Sequence, residues 1–202
     1  MNSEIAFVGD IHGNVNALRG VVDALRARGV LKAVFLGDYI NKGANSREVL
    51  SDLIASEASG FGTLLRGNHE TALLDALDTG DLTAFIKMGG AMTIRSYVGG
   101  KVNANVSEHL KSIFPVEHLN ALRRMAETYE SEEVIAQHVP STALTHKFRI
   151  SAHSHVGILP QITAHSAQID TGCGDAEFGR LTALFWPSLD YIQVSDQGTV
   201  VS

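Results

Sequence analysis

Three short apolar runs near the start of the chain, each ending abruptly in charged or amide residues, restrict the fold more than any other feature of the sequence. IAFVG (5–9) runs into Asp10-Ile11-His12-Gly13-Asn14, KAVFLG (32–37) into Asp38, and GTLL (62–65) into Arg66-Gly67-Asn68-His69-Glu70. None alternates apolar with polar residues, so each reads as a strand covered on both faces. The intervening segments have helical periodicity. NALRGVVDALRARG places apolar residues at 17, 18, 21, 22 and 25 before Gly29, and SREVLSDLIASEASG begins with an N-cap at Ser46 and stops near Gly60. This β-α-β-α-β order requires a parallel start to the sheet, with right-handed crossovers.

Past residue 70 the pattern changes twice. The stretch from about 71 to 130 is helical in period, with glycine turns at 89–90 and 99–100, and predicts a small cap of two to four helices. The last third is strand-like: EVIAQ (133–137), FRISA (148–152), AQID (167–170), RLTALFW (180–186) and LDYIQVS (189–195), the last two joined by a short turn near Pro187-Ser188. The expected class is therefore α/β, in a single domain over 1–202 with a cap insertion. At 202 residues and 45% hydrophobic, the chain can bury one substantial core. A formal charge of -6 without any long basic run argues against general nucleic-acid binding. One cysteine, Cys173, cannot form an internal disulfide, and no stretch approaches the roughly 20 apolar residues of a membrane helix. A cytoplasmic location without membrane contact is expected.

In an open α/β sheet, ligands sit beyond the carboxyl ends of the strands. That places Asp10, His12, Asp38, Asn68 and His69 at one rim, and the late strands add His138 and then His153-Ser154-His155. Carboxylates, an amide and imidazoles without thiolate suit a pair of divalent transition ions. A carboxylate between two histidine-bearing halves can bridge ions about 3.5–4 Å apart, the spacing that polarises a phosphoryl oxygen and activates water for in-line attack. A strand-end aspartate alone usually caps a turn or helix. So many donors at successive strand ends are not explained by capping.

GDIHGN, GDYINKGANS, RGNHE and AHSHVG, in that order, resemble the signature of the calcineurin-like metallophosphoesterases. FIKMGGAMTIRSY and IDTGCGDAEFGRLTAL are similar to stretches of bacterial serine/threonine phosphatases and symmetrical diadenosine tetraphosphatases. The resemblance implies a four-layer αββα sandwich of two mixed sheets with flanking helices. It implies that Asp10 and His12 hold one metal, Asp38 bridges, and Asn68, His138 and His153 hold the second, with His155 as a further ligand found in some branches. The metals implied are manganese first, with iron, zinc, nickel or cobalt as alternatives. His69 would protonate the leaving group, and Arg66 would bind phosphate through its planar guanidinium.

Three departures bear on function. The family's GDxxDRG reads GDYINKG here, so Asn41 replaces the aspartate that orients the acid histidine, and Lys42 replaces an arginine, keeping charge but losing the two-pronged grip. The segment 139–152 is short and lacks a second phosphate-binding arginine, for which Lys147 or Arg149 are weak substitutes. His138-Val-Pro and Ala152 also differ from the usual pattern without altering a ligand atom. His109, His118, His146 and His165 are expected at the surface, without chemistry. The expected activity is hydrolysis of phosphomonoesters by metal-activated hydroxide. Substrates would be phosphorylated small molecules, nucleotides or phosphoproteins. Dinucleoside polyphosphate or phosphodiester hydrolysis is the enzymatic alternative, and a metal-holding regulatory protein the non-enzymatic one.

Overall fold

The computed structural model describes residues 4–100, 104–175 and 177–201, so residues 101–103 of the expected cap lie outside the described residues. The first third is as the periodicity predicts: β1 (Ile5–Val8), α1 (Val15–Ala27), β2 (Lys32–Phe35), α2 (Ser46–Ala58) and β3 (Gly62–Leu64). α1 starts where Asn14 accepts the Ala17 N–H at 3.0 Å, satisfying one of the free donors of a first turn. It buries Leu18, Val21 and Leu25 along one stripe. The cap of α2 is Asn45 and not Ser46, whose hydroxyl turns inward towards Asn41 and Thr93.

Among the described residues five helices follow, against two to four expected: α3 (Asn68–Thr79), α4 (Thr83–Lys87), α5 (Gly90–Val98), α6 (Val106–Ile113) and α7 (Val116–Arg124). Their buried residues, Leu73, Leu77, Phe85, Ile94, Tyr97, Leu110 and Leu122 among them, belong to the same core as α1 and α2. The end of the stretch expected to be helical is instead strand β4 (Thr128–Glu130). The remaining strands are β5 (Val134–Gln137), β6 (Phe148–Ser151), β7 (Gln161–Ile162), β8 (Ser166–Gln168), β9 (Asp170–Thr171), β10 (Arg180–Trp186) and β11 (Tyr191–Ser195).

The first sheet runs β11-β10-β1-β2-β3, with β9 also on β10. β1, β2 and β3 are parallel, and β10 is antiparallel to β1. The second runs β4-β5-β6-β8-β7, parallel in its middle three strands and antiparallel at both edges. Side chains alternate along each strand. Ala6, Val8 and Phe35 face the helices, whereas Phe7, Val34 and Leu36 fill the space between the sheets with Val134, Ala136 and Ile150. AQID, read as one strand, is divided where the chain passes from one sheet to the other: β8 lies in the second sheet, β9 in the first, with Ile169 buried between them.

Two mixed sheets and seven helices make up the expected sandwich, but the helices are unevenly placed. Among the described residues all seven precede β4, and the core between the sheets contains no helical residue. On the second sheet the segment 140–145 lies against Ile135, Gln137 and Arg149, with a cavity of about 470 Å³ between them. His118, expected at the surface, is buried: Ser51 Oγ lies 3.1 Å from its Nε2 and Tyr97 Oη 2.7 Å from its Nδ1. No helix among the described residues is long and apolar enough to cross a membrane.

Candidate metal centre

Strands β1, β2 and β3 end side by side, so the loops that follow them meet. Two glycines allow this contact. Gly37 has φ +110°, and a Cβ there would sit 2.5 Å from Gly67 N; a Cβ on Gly67 would run into Asp38. The backbones then tie together: Ile11 N and His12 N both donate to Asp38 O, at 3.1 and 2.9 Å, and Gly13 N donates to Tyr39 O at 2.8 Å. The β5 and β6 loops join through Ala152 N to His138 O at 3.0 Å, and His153 N donates to Asp10 Oδ1 at 3.3 Å.

This bracing gathers the donors around Asp38. On one side, His12 Nε2 lies 3.6 Å from Asp10 Oδ2 and 4.0 Å from Asp38 Oδ2, and His69 Nε2 lies 3.6 Å from Asp38 Oδ2. On the other side, His138 Nε2 lies 3.3 Å from Asp38 Oδ1. There Asn68 Oδ1, His138 Nε2 and His153 Nδ1 stand 2.8, 2.9 and 3.1 Å from one another. Two potential ligand groups share Asp38: His12 with His69, and His138 with His153. Histidine orientation is fixed from behind. His12 Nδ1 donates to Ile40 O at 3.2 Å and His138 Nδ1 to Leu36 O at 3.1 Å, so each points Nε2 towards the cluster.

Electrostatics fit a bound cation. Asp10 is 2% exposed and its Oδ2 has no hydrogen-bond partner among the described residues, a costly state for a carboxylate unless a cation takes it up. Burial first, then the charges of Asp38 and Asp170, push the Asp10 carboxyl well above its usual range. Asp38 would also be raised by burial, but its hydrogen bond with His138 and the charges of His138, His69 and His12 hold it at about 2. Burial lowers His12 to about 4 and also lowers His69, where the charge of Asp38 works the other way. The donor set is two carboxylates, an amide oxygen and imidazoles with no sulfur, the chemistry of a divalent transition ion.

The other sequence candidates are distributed differently. Asn41 is buried, with Nδ2 2.7 Å from His69 Nδ1. Lys42 Nζ is 2.7 Å from Asp175 Oδ2. Arg66 turns its guanidinium towards the end of α7, where Nη2 donates to Leu122 O and Arg123 O at 3.1 and 2.8 Å. It still lines a cavity of about 260 Å³ together with Asn68, Thr71, Glu127, Thr128, Gln137 and His138. His155 is exposed and joins neither ligand group.

Residue-by-residue reading missed Glu70, which is 0% exposed. Its carboxylate accepts the N–H groups of Asp38 at 2.8 Å, Tyr39 at 2.9 Å and Gly67 at 3.0 Å, so it holds the loop that presents Asp38. Burial, then the charge of Asp38, raises it to about 7. Its place as third residue of α3, reaching back to the residue before the helix, is half of a capping box and was the available signal. Asp175 and Thr93 had no such signal.

The fold and donor set define the class: an α/β sandwich with potential ligands for divalent metal at its strand-end rim. The chain belongs to the calcineurin-like phosphoesterase family, whose model matches residues 3–159. It is 26% identical over 141 residues to the catalytic subunit A1 of serine/threonine-protein phosphatase 2B of Saccharomyces cerevisiae, covering 62% of this chain and 26% of that protein. It is 30% identical over 96 residues to the zinc-dependent endopolyphosphatase of the same yeast, 46% of this chain and 28% of that one. The chain thus spans about a quarter of the length of these curated relatives. Among solved structures, a protein proposed to be a diadenosine tetraphosphatase shares the fold at a TM-score of 0.66 and 19% identity, over 96% of this chain and 94% of that one. A cold-active protein-tyrosine phosphatase of a psychrophilic Shewanella species does so at 0.62 and 14%, over 98% and 80%.

Proposed function

We propose that this chain is a phosphoesterase with two divalent metal ions, manganese by preference, which hydrolyses phosphomonoesters of small molecules, nucleotides or proteins. The observation that carries this reading is the convergence of Asn68 Oδ1, His138 Nε2 and His153 Nδ1 within 3.1 Å of one another, with Asp38 between them and His12. Asp10 and His12 would hold one ion, Asn68, His138 and His153 the other, and Asp38 both. Such a pair supplies charge to neutralise phosphoryl oxygens and lowers the pKa of water. The protein's own groups do the rest. Lys42 adds a positive charge at the rim, His69 stands beside Asp38 to meet the leaving oxygen, and Arg66 borders the cavity next to Asn68 and His138. Lone, buried Cys173 accords with a reducing cytoplasm.

A second reading, hydrolysis of dinucleoside polyphosphates or phosphodiesters, is favoured by Asn41. An uncharged neighbour leaves Nδ1 of His69 without a carboxylate, so that Asp38 beside Nε2 supports the protonated ring, which matters least when the leaving group is already a stable anion. Manganese-reconstituted protein tested on an aryl phosphate, a bis-aryl phosphate and a dinucleoside tetraphosphate separates the two, with Asp10→Asn and His69→Ala as controls. Turnover that is highest on the aryl phosphate and lost in Asp10→Asn is expected. No turnover on any of the three, with metal bound, would leave the regulatory alternative.

A further inference from the structure

Thr93 on α5 is fully buried and 52 positions from Asn41, yet its hydroxyl touches that residue twice. Thr93 Oγ1 accepts the Asn41 N–H at 2.8 Å and lies 2.8 Å from Asn41 Oδ1 and 2.9 Å from Ser46 Oγ. A hydroxyl has one proton to give and two lone pairs to fill. If Ser46 donates to Thr93 and Thr93 donates to Asn41 Oδ1, every proton in the chain finds an acceptor. The Asn41 NH2 is then left facing His69 Nδ1 at 2.7 Å. Turning the amide round would put its NH2 on Thr93, send the Thr93 proton to Ser46, and leave the Ser46 proton without an acceptor among the described residues.

We propose that Thr93 is a positioning residue: through Asn41 it holds His69 in the tautomer with its proton on Nε2, so that the ring meets the leaving oxygen as a hydrogen-bond donor. This rests on the phosphoesterase reading above. An NH2 that donates to Nδ1 requires a lone pair there, so the ring proton sits on Nε2, the nitrogen 3.6 Å from Asp38 Oδ2. His69 then stabilises negative charge without giving up its proton, as an oxyanion-hole donor does. When the phosphorus–oxygen bond of an alkyl ester breaks, the bonding pair stays on the leaving oxygen, which takes its proton from water. Esters of acidic phenols and phosphoanhydrides, whose leaving groups depart as stable anions, are therefore the preferred substrate class.

The test uses zinc-loaded protein, which is diamagnetic, labelled with ¹⁵N-histidine. In the wild type, Nδ1 of His69 should give the shift of an unprotonated nitrogen and Nε2 that of a protonated one. Thr93→Val, close in shape, should move both towards the average of two tautomers, and Thr93→Ser should restore them. With an alkyl phosphate, kcat of Thr93→Val should fall about tenfold, part of the 10²- to 10³-fold that such a donor supplies, and with dinitrophenyl phosphate no more than about twofold. A protonated Nδ1 in the wild type, unchanged nitrogen shifts in Thr93→Val, or equal losses on both substrates would overturn the proposal. If the shifts behave as stated but wild-type protein hydrolyses neither substrate, the hydrogen-bond order stands and the phosphoesterase reading is the part that fails.

Discussion

Removing metal from this protein should make its stability fall as pH rises above about 6.5, which is unusual for a chain whose folded state is rich in paired carboxylates. Glu70 provides the worked case. Its carboxyl is raised from 4.5 to about 7, so the folded state holds a proton that the unfolded state has released. The stability it contributes is complete below pH 4.5 and lost as pH climbs through about 7; the full gap corresponds to about 3 kcal/mol, of which roughly 1 kcal/mol falls above pH 6.5. Asp10, also raised, works in the same direction, as does His138: burial lowers it, but its hydrogen bond with Asp38 and the charges of Asp38 and Glu70 together raise it. His12 opposes them, since it is lowered to about 4, but its effect ends at its ordinary value of 6.5. His69 and His118, lowered by burial, likewise act only below that point. Above pH 6.5 the shifted groups at the centre therefore all act in one sense. For a chain of 202 residues a loss of 1 kcal/mol lowers Tm by about 2–4 °C, and Asp10 adds to it. Thermal unfolding of chelator-stripped protein at pH 6.5, 7.5 and 8.5 measures this directly, with Glu70→Gln showing a smaller fall. Saturating manganese should flatten the dependence, because a bound cation would offset the burial and the charge of Asp38 that together raise Asp10 and Glu70. A metal-free Tm that stays level or rises between pH 6.5 and 8.5 would refute the reasoning.

Other predictions concern residues whose surroundings differ from what sequence alone implies. Arg66→Ala should destabilise the chain by about 1–3 kcal/mol in urea titrations, because two carbonyls at the end of α7 lose a charged donor. An effect on KM alone would show that the α7 contacts contribute little. Asp175→Asn frees Lys42 from a half-exposed ion pair, worth under about 1 kcal/mol, and should lower KM for a phosphate dianion by up to about fivefold; steady-state kinetics at low salt would show it. Lys42→Gly relieves a residue held at φ 54°, so Tm should rise by the equivalent of about 1 kcal/mol while KM also rises.

The sequence reveals those parts of the site that share a local cause. Asp10, His12, Asp38, Asn68 and His69 were legible because each follows a run of residues that can only be a buried strand, and strand ends in a parallel sheet lie together. His138 and His153 followed by the same logic from β5 and β6, which are also parallel. Groups delivered by tertiary packing were not legible. Thr93 reaches Asn41 only because α5 packs on α2, and Asp175 reaches Lys42 from 133 residues away. Arg66 looked like a phosphate ligand from its place after β3; the end of α7, 56 residues on, competes for the same guanidinium. The division of AQID between two sheets was hidden for a related reason. A run of four residues has one hydrophobic pattern whether its neighbours belong to one sheet or two.

Backbone strain links the fold to the chemistry. Of the six non-glycine residues with positive φ among those described, five are at the centre: His12 at 46°, Asp38 at 53°, Asn41 at 72°, Lys42 at 54° and His153 at 65°. Glycine would adopt these angles at little cost, but glycine has no ligand atom, no amide and no charge, so the strain accompanies the side chain the position must carry. Such angles persist only where the surroundings determine them more than once. For four of the five they do: Glu70 accepts the Asp38 and Tyr39 N–H groups, Thr93 and Ser46 accept that of Asn41, Gly43 N donates to His12 O, and Asp10 accepts that of His153. Four of the five strained residues, all but Lys42, are thus held by a group outside their own position. Those four cannot relax separately, and the geometry of the cluster is set by the folded chain itself.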